Sequence, residues 1–226
     1  MELIESIIEW TNKNSGFLGL LIFISTVLLG WLSGIFAGLR RKPKLKIEIN
    51  DGPTFCASFD TGRVYKNNLT HRTAISTYIK VTNVGSAPTD IKSVHIGYKS
   101  QNHILPFKWF WLKDITVALS DFVVNLGEDI KVYPFLIQRN QLSENQIDTY
   151  LLEGKSCNGI VYHEQIESCG NFLPKIKNNR MRVKVCVVDV YGGTHTSTAT
   201  INKVTLKAAQ RICQKFGETR ESLADK

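Results

Sequence analysis

Residues 44–50 read Lys44-Leu45-Lys46-Ile47-Glu48-Ile49-Asn50, with apolar side chains at 45, 47 and 49 and polar ones between them. Successive side chains of an extended chain point to opposite faces, so this stretch is a strand with one buried face. Asp51-Gly52-Pro53 ends it. Downstream, residues 75–82 repeat the pattern and break at Asn83-Val84-Gly85-Ser86-Ala87-Pro88, after which 91–98 reads as the partner strand. Further strands are expected at 122–126 and 130–137, parted by Gly127-Glu128, and at 159–164. Residues 182–190 lead through Tyr191-Gly192-Gly193 into 194–201, a hairpin.

Two helices are expected in this part of the chain. Ser143 and Gln146 form a capping box before Ile147, Tyr150 and Leu151 at helical spacing, and Gly154 closes the segment. In the tail, Val204, Ala208, Ile212 and Phe216 share a helical face with Lys207, Arg211 and Lys215 opposite, and Gly217 ends it. Many short strands without a βαβ rhythm predict a mainly β fold, an antiparallel Ig-like β-sandwich carrying one short internal helix and a C-terminal helix.

Upstream of residue 44 the pattern changes. Residues 16–38 read GFLGLLIFISTVLLGWLSGIFAG, and no charged residue stands between Lys13 and Arg40. As a helix this run is about 34 Å long, against a hydrocarbon layer of roughly 30 Å. A cleaved signal would carry its positive charges before the apolar run, whereas here they follow it. Arg40, Arg41, Lys42, Lys44 and Lys46 crowd the downstream end. The positive-inside rule then sets the N-terminus outside and residues 40–226 in the cytoplasm, at the plasma (inner) membrane. Anionic head groups attract such juxtamembrane cations by about 1 kcal/mol each. Residues 1–15 carry apolar groups at 3, 4, 7 and 8 and acids at 2, 5 and 9 with Trp10 near the end, a helix that either lies at the outer interface or extends the span. The expected division is 1–15 amphipathic segment, 16–39 transmembrane helix, 40–46 basic linker, 47–202 β-domain and 203–226 helix and tail.

Gly30, Gly34 and Gly38 recur at intervals of four within the span. On a continuous helix they form one small-residue face, which predicts a homo-oligomer; glycine is also simply frequent in spans.

The net charge is +8, yet residues 1–39 hold Glu2, Glu5 and Glu9 against Lys13, so the remainder carries 27 bases and 17 acids. Five of those bases belong to the run at 40–46, which leaves the rest of the domain mildly positive and nucleic acid an unforced partner. Five dispersed cysteines suit a reducing compartment better than a disulfide framework.

Val81-Thr82-Asn83-Val84-Gly85-Ser86-Ala87-Pro88 looks like the strand-turn element of Ig-like sandwiches in prokaryotic proteins. The whole layout resembles uncharacterised bacterial single-span membrane proteins with a cytoplasmic β-domain. The resemblance implies the architecture and supplies no functional residues.

Neither a phosphate loop nor G-x-S-x-G nor H-E-x-x-H occurs. Cys157-x5-His163-x5-Cys169, with Cys186, has the ligand chemistry of zinc without its tight spacing, and buried thiols with a loop histidine are the plainer reading. Cys157 and His163 could also serve as nucleophile and base. Asp189 and His195 flank the final hairpin and can face each other across it, as a solvent-exposed pair. Lys108-Trp109-Phe110-Trp111-Leu112-Lys113 puts apolar side chains on both parities, so the segment is buried on both faces or offers Trp109 and Trp111 to a partner, a base or the bilayer interface. His71-Arg72, with Lys66 nearby, forms an anion site or a solvated loop.

The expected activity is recognition of an anionic small molecule or protein partner at the membrane, through Trp109, Trp111, His71 and Arg72, with no catalytic residue, metal or cofactor. Two other readings are a nucleotide-sensing membrane effector that oligomerises through its span and a cysteine hydrolase or zinc enzyme.

Overall fold

The computed structural model of the 226-residue chain describes residues 2–35, 41–101, 109–138 and 147–219, which fall into two compact units, Met1–Lys42 and Pro43–Lys226. The first unit is helical, with α1 at Glu2–Lys13 and α2 at Ser15–Leu32. Asn14 alone separates them, and the i→i−4 bonds continue through it from Asn14 N–H to Trp10 O and from Leu18 N–H to Asn14 O. The first segment therefore extends the second helix. α2 has 18 residues of mean hydropathy 2.1, none of them buried, and is long and apolar enough to cross a membrane.

The glycine stripe is not formed as expected. Ser33 N–H bonds Leu29 O, Gly34 N–H bonds Trp31 O, and Gly34 takes φ +77°, a left-handed stop that glycine adopts without a Cβ penalty. Gly34 thus ends α2 where a shared helical face required it to continue, and Gly38 lies outside the described residues.

The second unit holds twelve described strands: β1 Leu45–Ile49, β2 Phe55–Tyr65, β3 Asn68–Asn83, β4 Ile91–Lys99, β5 Trp109–Leu112, β6 Phe122–Leu126, β7 Asp129–Tyr133, β8 Ser156–Glu164, β9 Ser168–Cys169, β10 Ile176–Lys177, β11 Arg180–Asp189 and β12 Thr194–Lys203. Ten form one sheet in the order β1-β3-β2-β12-β11-β4-β5, with β8 and β9 also on β3 and β10 on β11; β6 and β7 form a separate hairpin. Mainly β is therefore correct. The all-antiparallel layout needs one amendment, because β12 meets β2 in parallel at Asn202↔Phe55 and Lys203↔Cys56.

Two cores explain why β3 and β8 read as continuous buried runs. Ile75, Ile79 and Val81 of β3 and Val161 of β8 join Val94, Ile96 and Tyr98 of β4 and Val183, Val185 and Val187 of β11. Their sequence neighbours Ala74 and Ile160 point the other way, into a second core with Phe122, Phe135, Tyr162 and Phe216. Truncating a fully buried residue such as Ile79 costs about 2–5 kcal/mol.

Several expectations change here. Residues 75–82 and 91–98 do not pair, since β3 is flanked by β1 and β2 on one edge and by β8 and β9 on the other, while β4 lies between β11 and β5. β7 stops at Tyr133 because Pro134 has no N–H to donate. Residues 147–150 form neither helix nor strand and Leu151 bridges Thr89, so the internal helix is absent over them; Ser143 and Gln146 lie outside the described residues. The tail helix, α3, covers only Leu206–Gln210, capped by Thr205 Oγ1 accepting from Ala208 N–H. It buries Ala209, and Cys213 and Phe216 follow it into the core, rather than the face of Ala208 and Ile212.

Asn83, fully buried, ends β3 and ties the neighbouring segments together. Its Oδ1 accepts from Gly85 N–H (3.0 Å) and Lys44 N–H (3.4 Å), and its Nδ2 donates to Ala87 O (2.7 Å) and Leu151 O (3.1 Å).

Candidate functional site

Residues 175–184 read KIKNNRMRVK. Asn178 and Asn179 take φ +51° and +57°, the two left-handed residues of a tight β-turn, and join β10 to β11 in antiparallel register, Lys177 opposite Arg180. Alternation then sorts the side chains. Met181, Val183 and Val185 enter the core, so Arg180, Arg182 and Lys184 share the outer face, with Lys175 and Lys177 on the same parity of the neighbouring strand. Register extends this face sideways: Arg182 is opposite Thr200, and Lys184 lies between Thr198 and Gly97.

On β5 the two parities divide the aromatic run. Phe110 turns inward against Tyr98 (5.2 Å between ring centroids) and Phe172 (5.5 Å), and Leu112 joins the core. Trp109 and Trp111 take the outer face, half-buried, opposite Lys99 and Gly97. Lys99 Nζ sits 4.6 Å from the Trp109 ring centroid, a cation–π contact. The Trp111 ring lies against Gly97 so closely that a Cβ there would stand 3.0 Å from ring carbons. Glycine lets that ring lie down on β4.

Lys99, Lys175, Lys177, Arg180 and Arg182, with Asn178 and Thr200, line a groove of about 620 Å3, and among the described lining residues there is no carboxylate. Such a face concentrates anions, and the half-exposed indole rings beside it offer stacking surfaces. Cys186 stands on the next row, opposite His95. Burial raises its thiol pKa against the opposing pull of Lys184, which leaves it a poor nucleophile.

Of the residues expected to bind ligand, Trp109 and Trp111 are on this face and His71 and Arg72 are not. β3 begins at Asn68, so both of the latter lie inside a central strand, 3% and 4% exposed. Arg72 Nη1 is 3.6 Å from Glu164 Oε1, and Tyr162 Oη donates to Glu164 Oε2 (3.0 Å) while accepting from Gly217 N–H (2.8 Å). His71 Nε2 contacts Ser168 Oγ at 3.2 Å, and burial lowers its pKa. Neither an anion site nor a solvated loop describes them: they are an interior polar network. The cations that do accompany the tryptophans were legible in KIKNNRMRVK, where a base recurs at alternate positions on either side of a turn.

The other constellations resolve structurally. Cys157 and His163 lie on one strand six residues apart, about 20 Å by the strand rise, so they cannot act as a pair or share a metal. Burial pushes the Cys157 thiol up to about 11. Among the described residues no cluster of three or more His, Cys, Asp or Glu could hold a metal ion. Asp189 and His195 do meet, with Nε2–H donating to Oδ2 at 2.9 Å, but Asp189 is 1% exposed rather than solvated. Burial raises the Asp189 pKa, and the bonds from His195, Gly193 N–H and Tyr191 N–H outweigh it, holding the carboxyl low. His195 Nδ1 accepts from Leu45 N–H (3.2 Å), so both ring nitrogens are used in tying β1 to the β11–β12 hairpin. Lys42, Lys44 and Lys46 are exposed, as is Arg41, with Lys46 Nζ 2.6 Å from Glu48 Oε1; Arg40 lies outside the described residues.

No family model and no curated protein matches the chain. Among solved structures, a crystal structure from Bordetella pertussis provisionally named ApaA aligns over 72% of this chain and 96% of its own, at 9% identity and a TM-score of 0.30. A second structural-genomics target aligns over 73% and 88%, at 7% identity and a TM-score of 0.28. At such scores the likeness transfers neither fold nor function.

Proposed function

We propose that this chain is a membrane-anchored binding module whose β-domain captures an anionic ligand on the outer face of β10, β11, β4 and β5. In this reading α2 spans the plasma membrane of a bacterium with the N-terminus outside. The domain lies in the cytoplasm as an Ig-like sandwich and carries out no catalysis of its own. The observation that carries the proposal is the groove lined by Lys99, Lys175, Lys177, Arg180 and Arg182, with no carboxylate among its described lining residues. Like charges held this close repel one another, and an anionic ligand relieves that cost.

The groove and the juxtamembrane cations address different anions. Leu45, just inside the domain, is bonded to His195 beside Asp189, at the far end of β11 from Arg180. Ten residues of strand separate the two ends by about 30 Å. Head groups therefore suit Lys42, Lys44 and Lys46, and a soluble anion suits the groove.

The test uses full-length protein in zwitterionic nanodiscs, titrated with inorganic polyphosphate by calorimetry. Replacing Lys177, Arg180 and Arg182 together with glutamate is expected to weaken binding at least tenfold, and replacing Lys44 and Lys46 to leave it unchanged. Equal affinity for wild type and the triple variant would refute the proposal.

A further inference from the structure

Resting on that reading, we infer that the ligand of this face is a single-stranded nucleic acid, its phosphates tracking β11 and its bases stacking on β5. The cations do not converge on a point. Arg180 and Lys184 stand four residues apart on β11, about 13 Å by the strand rise, so no single phosphate reaches them all. They form a column, repeated at every second residue with a step of about 6.6 Å, close to the repeat of an extended sugar–phosphate backbone.

A second column runs beside the first. Trp109 and Trp111 are likewise two residues apart on the same face, and β4 alone lies between β5 and β11. At about 4.8 Å per strand the columns are roughly 10 Å apart. One offers positive charge and the other flat π-surface, at equal steps and in parallel, which is the arrangement of a strand whose charged backbone and flat bases lie on separate tracks. Lys99 bridges the columns, one strand from each. Thr198 and Thr200 border the cation column on its other side with exposed hydroxyls. A bare polyphosphate would use the first column and leave the second without a role.

The test compares three ligands on full-length protein in zwitterionic nanodiscs: a 12-nucleotide oligo-deoxythymidine, a 12-nucleotide oligouridine and a polyphosphate of matched charge. Either oligonucleotide is expected to quench tryptophan fluorescence and to bind with a log–log salt slope of about −3, from four or five neutralised phosphates at roughly 0.7 each. Trp109→Ala is expected to weaken oligonucleotide binding roughly five- to hundredfold. It should leave the slope and polyphosphate binding unchanged, while Trp109→Phe retains most of the affinity. Arg182→Ala should weaken all three and reduce the slope by about 0.7. If polyphosphate binds as well as the oligonucleotides and Trp109→Ala alters neither, the nucleic-acid inference fails and the anion-binding reading survives. If none of the three binds, both fail.

Discussion

Three single residues carry much of what is specific here. Asn83 joins four segments through one carboxamide, and Asn83→Ala would strip the N–H groups of Lys44 and Gly85 and the carbonyl of Ala87 of this partner, while Leu151 O keeps its bond from Thr89 N–H. Its expected cost is about 2–4 kcal/mol in urea unfolding, and Asn83→Asp is expected to cost at least as much at pH 7, because its second oxygen would face the Ala87 and Leu151 carbonyls. His163 is wholly buried, donates from Nε2 to Val94 O (3.0 Å), and its Nδ1 has no hydrogen-bond partner among the described residues. Burial lowers its pKa from 6.5 to about 4, with the Val94 bond and Asp114 opposing and His95 assisting. Because the unfolded chain binds this proton first, stability is complete above pH 6.5 and declines as the pH falls toward 4, by about 3 kcal/mol. Urea midpoints measured between pH 7 and 4.5 should show the decline, and His163→Gln should flatten it apart from smaller contributions of His71 and His95. At Gly97 the expected effect is local. Gly97→Ala pushes against the Trp111 ring, so tryptophan emission should shift to the red and ligand affinity should fall.

Among the elements, β11 shows parity at work. Val183 points into the core and Arg182 out of it. Val183→Ala should cost about 2 kcal/mol of stability with ligand binding intact, whereas Arg182→Ala should leave stability within about 0.5 kcal/mol and weaken binding. Thermal melts and titrations of the two variants separate the roles. The same alternation made β1, β4 and the β11–β12 hairpin legible, because a strand with one wet face writes its period into the sequence. β2 was missed because its second half, through Gly62 and Arg63, lies exposed and lacks an apolar alternation. The internal helix was misread for a reason of arithmetic: Ile147 and Leu151, four apart, share a face in a helix and in a strand alike. The glycine stripe is interrupted at Gly34 for a related reason, since spacing cannot say whether one helix runs through that residue. Trp109 and Trp111 stood out by size, while their cationic companions are written in KIKNNRMRVK and are gathered onto one face only once Asn178 and Asn179 are read as a turn.

At the scale of the whole molecule, bases cluster in two places. A basic run stands at 40–46, and a groove with no carboxylate among its described lining residues opens at the other end of β11, about 30 Å along that strand from Asp189, whose partner His195 holds Leu45. His195, with both ring nitrogens engaged between Leu45 and Asp189, fastens the first strand to the hairpin at the near end. On this account the near end is structural and the far end receives ligand. Lysine acetylation rates, read by mass spectrometry on the full-length protein with and without polyphosphate, test that division residue by residue. Slowing at Lys175, Lys177 and Lys184, with Lys131 and Lys155 unchanged, is the predicted result. Protection confined to Lys42, Lys44 and Lys46, or spread uniformly over all exposed lysines, would contradict it.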